Sequence, residues 1–168
     1  MKLAIIMKNS RESTRAFKFQ EKMPVFFKSL LLTNVACLDC GHEFLELPVE
    51  HSLVFYLMEK GMQFDYQDFG VDYSPRFKDF PEVDYLRSNA LEKDLRDLVA
   101  SNYLLVKRSG VAKYYLGIPA VSRKNDFVRS LVSTGFVNYE KLKEMIRKCL
   151  KNKREFVRNC YWSYINSL

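Results

Sequence analysis

Glycine is scarce in this 168-residue chain. There are six, none beside another, so the glycine-rich loops that cradle phosphates are absent and nucleotide binding of that kind has no support. No apolar run reaches the roughly 18 residues that a membrane-spanning helix requires. The longest candidate, residues 23–32, is interrupted by Pro24 and Lys28. The opening MKLAIIMKNS carries a short apolar stretch but no small-residue cleavage site, and charged residues follow at once. It is read as a first strand. The four cysteines, two of them three residues apart, do not make the disulfide framework of a small secreted protein, and a reducing, cytoplasmic location is expected. No membrane partner is expected.

A nucleophile with its base is also missing. The chain has two histidines, and neither His42 nor His51 has a companion motif for acid-base work. The carboxylates Asp65, Asp68, Asp72, Asp79, Glu82 and Asp84 suggest a metal-dependent nuclease only until one looks for the strand-borne lysine and fixed spacing such a site uses, which are not there. The chain is read as a non-enzyme.

What is present in quantity is positive charge, unevenly spread. The net charge is +7, with 27 Lys and Arg against 20 Asp and Glu. Residues 1–36 hold seven cations and two acids, residues 37–90 four and eleven, residues 91–118 five and three, and residues 119–168 eleven and four. A polyanion would be drawn to the ends and repelled by the middle. At this length, with 48% hydrophobic residues, the chain can bury a real core.

The spacing of apolar residues predicts the elements. Residues 2–7 and 14–20 read as two strands of an N-terminal hairpin around a polar loop, while residues 23–33 are too continuously apolar to tell helix from strand. Residues 48–60 read as a helix, with proline at its start, Val49, Leu53, Val54 and Leu57 on one face, and Gly61 at its end. Residues 62–87 are acidic and full of rings, broken by Gly70, Pro75 and Pro81. A short helix at 81–86 is expected within them, behind an aromatic loop that packs on its own domain or, interleaved with acids, forms a protein-docking surface over 64–85. Ser88 can cap a helix whose inner face is Leu91, Leu95, Leu98 and Val99, and Asn102, tolerant of a left-handed backbone, can end it. Residues 103–107 and 112–116 then make a hairpin, turned at Ser109-Gly110. After Pro119 two helices are expected, one over 122–132 and one over 139–165 capped by Asn138. The second is long enough to pair with its copy in a homodimer.

Cys37-Leu38-Asp39-Cys40-Gly41-His42 has metal-ligand spacing. Two thiolates three residues apart can share a zinc ion when the backbone makes a knuckle turn, and the glycine after the second removes an obstructing Cβ. The motif resembles half of a zinc ribbon. Cys37, Cys40, His42 and His51 fall within fifteen residues and are the candidate ligands, with zinc as the candidate cofactor. Cys149 and Cys160 on one continuous helix would stand about 16 Å apart and could not share an ion.

The capped helix followed by a tight basic hairpin resembles the recognition helix and wing of the winged helix-turn-helix superfamily, over about residues 48–118. The fold expected is α+β: a winged helix-like core with an acidic aromatic insertion at 48–118, preceded by the N-terminal strands and knuckle at 1–47 and followed by a basic pair of helices at 119–168. The resemblance implies that Arg87, Lys93 and Arg96 face the DNA major groove and that Lys107, Arg108 and Lys113 touch backbone phosphates. Lys148, Lys151 and Arg154 of the basic tail would add affinity. It implies a regulatory or architectural protein that binds double-stranded DNA, acting on transcription. The alternative is an adaptor or inhibitor docking through 64–85 on a polymerase or another nucleoprotein complex, and RNA would suit the basic ends equally well.

Overall fold

The computed structural model describes residues 24–72, 85–122, 124–131 and 138–168. The hairpin expected over 2–20 lies outside them, as do residues 73–84. The fold is α+β, with small antiparallel sheets among helices. Among the described residues no helix is long and apolar enough to cross a membrane.

The ambiguous apolar run is helix α1 (Val25–Asp39), and its ambiguity has a physical cause. Residues 29–37 are all buried, so neither a helical nor a strand periodicity survives in the sequence. Strand β1 (Phe44–Glu46) leads into α2 (Leu47–Glu59), which has Pro48 in its first turn. Strands β2 (Gly70–Asp72) and β3 (Tyr85–Arg87) pair antiparallel. Residues 85 and 86, expected in a short helix, therefore belong to a strand. Helix α3 (Asn89–Ala100) buries Leu91, Leu95 and Leu98, and β4 (Leu104–Lys107) and β5 (Lys113–Leu116) form the hairpin. The second sheet has the order β1-β5-β4, which sets Leu45 and Val106 on either side of Tyr114.

Helices α1, α2 and α3 end alike. The residue after the C-cap is Gly41 (φ 89°), Gly61 (φ 93°) or Asn102 (φ 64°). In each case the next residue's N–H donates back five residues: His42 to the Cys37 carbonyl, Met62 to Leu57, and Tyr103 to Leu98, at 2.9 to 3.1 Å. This is the Schellman closure of a helix. The glycine that suggests a metal knuckle thus terminates α1.

Among the described residues the C-terminal region has four helices where two were expected: α4 (Ile118–Ser122), α5 (Lys124–Leu131), α6 (Tyr139–Leu150) and α7 (Lys153–Ser167). The single helix expected over 139–165 breaks because the Asn152 backbone is extended and its side chain accepts from the Glu155 N–H at 3.1 Å. Asparagine gains more at such a cap than inside a helix. Helix α7 packs on α2 and β3, whereas α5 and α6 pack on α1. Leu142, Ile146, Leu150, Phe156 and Val157 accordingly share one core with Leu31, Leu53, Leu91 and Leu104.

Candidate nucleic-acid interface

The start of α3 is tied down from three sides. The Ser88 side chain accepts from the Leu91 N–H at 3.1 Å, and the Asp68 carboxylate accepts from Ser88 Oγ and, at 3.0 Å, from the Ala90 N–H. Partial burial pushes the Asp68 carboxyl up, but these hydrogen bonds outweigh it and hold the group below its usual range. A carboxylate there also suits the positive end of the helix dipole. The Ser88 N–H donates to Nδ1 of the fully buried His51 at 3.0 Å. No local signal links Asp68 or His51 to a helix that begins twenty or more residues later, so the sequence did not disclose this brace.

Two of the three acids of α3, which in sequence offset its cations, are engaged within the molecule. Arg87 on β3 donates through Nε to Glu92 at 3.0 Å and pairs with it through its second nitrogen. The Tyr66 hydroxyl donates to Asp94 at 2.6 Å. Arg87 is thus an anchor for Glu92, not a side chain projecting from the helix. Lys93 and Arg96 remain on the exposed face of α3.

The hairpin supplies the second group of cations. Lys107, Arg108, Ser109 and Gly110 at its tip are exposed, while Val111 and Ala112 immediately after them are buried and hold its base. Beneath lies Tyr114, 3% exposed. Its phenol is pushed up to about 12, chiefly by burial and next by the buried Glu50, with smaller contributions from Arg108, Glu92 and Arg96. Strand β4 of the hairpin packs against α3. Lys113 lies farther down β5, with its ammonium 5.0 Å from the Phe44 ring centroid, and Lys153 of α7 lies 5.2 Å from the same centroid. Lys148 and Lys151 sit at the α6–α7 junction and Arg154 is exposed on the first turn of α7.

The four candidate metal ligands are dispersed in role. Cys37 is buried in the last turn of α1, where burial first and the nearby Glu50 second push its thiol well up. The Cys40 thiol donates to the Lys143 carbonyl at 3.5 Å and is likewise raised by burial. His42 is partly exposed, its imidazole lowered by burial and by Lys153, and His51 is committed to Ser88. Among the described residues no group of three or more His, Cys, Asp or Glu is placed to hold a metal ion.

The rings proposed for docking turn inward where the structure describes them. Phe64, Tyr66, Phe69 and Tyr85 are all buried, and Tyr164 of α7 donates to the Phe69 carbonyl at 3.0 Å. The apolar face of α7 is spent on its own chain, leaving Arg158 and Trp162, 52% exposed, outside. No family model matches the chain, and no curated protein or solved structure does either.

Proposed function

We propose that the chain is a DNA-binding protein of the winged helix type that acts without catalysis, as a regulatory or architectural factor on double-stranded DNA. The observation that carries this reading is that α3, with Lys93 and Arg96 exposed, runs directly into a hairpin whose first strand packs on it and whose Lys107-Arg108 tip is exposed. The order in which α3 runs directly into the β4–β5 hairpin, with β1 closing the sheet beyond β5, supports the winged helix assignment. So does the disposal of Glu92 and Asp94 on internal partners, which removes much of the repulsion a phosphate backbone would meet. Lys93 and Arg96 are the groove-facing pair in this reading. Lys107 and Arg108 grip phosphate, and Lys113 backs them from the strand. Burial of the 64–69 rings and Tyr85 disfavours the docking alternative, because those side chains are not available to a partner.

A mobility-shift titration on random-sequence duplex across a salt series tests the reading. Binding at low salt that weakens steeply as salt rises is the expected result. No shift at the lowest salt would overturn it.

A further inference from the structure

The break between α6 and α7 opens a cleft of roughly 500 Å³, and a second of roughly 360 Å³ continues it toward the end of α2. Phe156 and Asn159 line both. Lys148 and Lys151 flank one end and Lys60 the other, with Glu155 and Glu59 also in the walls. Between the lysines lie two rings, Tyr56 and Phe156, meeting edge to face with centroids 5.7 Å apart. The Lys60 ammonium stands 5.3 Å from the Tyr56 centroid. Asn159 brings an amide donor and acceptor to the point where the two volumes join.

This set of groups discriminates among ligands. An apolar peptide would leave the lysines unused, and a simple anion would leave the rings unused. A duplex offers phosphates but keeps the faces of its bases stacked. A single-stranded nucleotide offers all that the cleft can use: a phosphate for the lysines, a flat base face for the rings and a polar base edge for Asn159. Position supports the same occupant. Lys153, two residues beyond Lys151, shares the Phe44 ring with Lys113 of the hairpin, so one end of the cleft lies near Lys113 at the start of β5.

We infer that the cleft between α6, α7 and α2 takes a nucleotide of a single-stranded extension next to the duplex held by α3 and the hairpin, its phosphate at Lys148 and Lys151 and its base toward the half-buried Tyr56, which the buried Phe156 holds in place. The adjoining duplex rests on the reading above, but the cleft's own ligand does not. Glu155 on the wall opposes the phosphate, so Glu155→Gln should tighten the interaction.

Fluorescence anisotropy on the full chain tests this with four probes: a blunt duplex, the same duplex bearing a short oligothymidylate tail, the oligothymidylate alone, and AMP as competitor. The tail should tighten binding by at least about fivefold. Lys148→Ala/Lys151→Ala, at exposed positions, should abolish that gain, read as the ratio of tailed to blunt affinity for each protein, and Lys141→Ala, also on α6, should leave the ratio intact. Equal affinity for blunt and tailed duplexes, or a gain that survives the double variant, overturns the inference. Displacement of the tail by AMP at concentrations where the free oligothymidylate fails to displace it overturns it too, because the site would then serve free nucleotide. If blunt duplex is not bound but oligothymidylate binds through Lys148 and Lys151, the winged helix reading falls and the cleft's assignment stands.

Discussion

Glu50 sits on α2 with its carboxyl fully inside the core, where the Asn34 amide donates to Oε1 at 2.7 Å and Oε2 has no hydrogen-bond partner among the described residues. Burial pushes the group up to about 7, against the pull of Asn34. The titratable groups that feel it are Cys37, Tyr66 and Tyr114, all raised mainly by burial, and among the described residues no cation pairs with it. A folded-state pKa above the unfolded one stabilises the protein fully below the unfolded value, and this contribution disappears as pH rises through the folded value. Between pH 4 and 9 it amounts to about 3 kcal/mol. Thermal unfolding should therefore show stability falling between about pH 4.5 and about pH 7 and levelling off above that, and Glu50→Gln should flatten the fall; parallel profiles for both proteins would contradict the assignment. Tyr66 makes a second prediction at this scale. Removing its hydroxyl leaves the half-buried Asp94 without its donor, which should cost about 2 kcal/mol and weaken duplex binding through an unrestrained carboxylate beside Lys93. Adding Asp94→Asn to Tyr66→Phe should restore the affinity, as titrations of the single and double variants would read directly. If Tyr66→Phe binds duplex as tightly as the parent, Asp94 has no part in the interface.

Helix ends and turns decide how the elements meet, and two glycines separate backbone strain from crowding. Gly41 has open space around its absent side chain, so Gly41→Ala meets only the left-handed backbone cost of about 1 kcal/mol. At Gly117, which follows β5, an added Cβ would lie 1.9 Å from the Asn102 carbonyl oxygen. Its N–H also closes onto Tyr103 at 2.9 Å. Gly117→Ala should cost about 3 kcal/mol by forcing the α3 terminus and the hairpin apart, and denaturant unfolding of both variants should rank them in that order. The same elements show what a sequence can disclose. Helix α3 was legible because its burial is one-sided, its cap is a serine and its end an asparagine, and the hairpin because Ser109-Gly110 interrupts two β-rich runs. Helix α1 was not, since uniform burial removes the periodicity. Asn152 and Glu155 carried a cap signal that the helical pattern on either side concealed. The β2–β3 pair depends on partners far apart in the chain, which no local pattern encodes.

At the scale of the whole molecule, one core joins segments that composition had separated. The basic C-terminal residues looked like an appended tail because their charges are dense, yet their apolar positions pack against α1, α2 and β3. The candidate interface was half legible: Lys93, Arg96, Lys107 and Arg108 stand exposed as their spacing suggested. Arg87 turned to Glu92, and Asp68, Tyr66 and His51, which set α3 in place, gave no sequence signal because their partners are tertiary. The central claim is that the hairpin tip touches phosphates, and it has a direct test in the salt dependence of duplex affinity for the parent and for Lys107→Ala/Arg108→Ala. Losing two phosphate contacts should lower the slope of log affinity against log salt by about 2, with the loss similar on every duplex sequence. An unchanged slope would contradict the account.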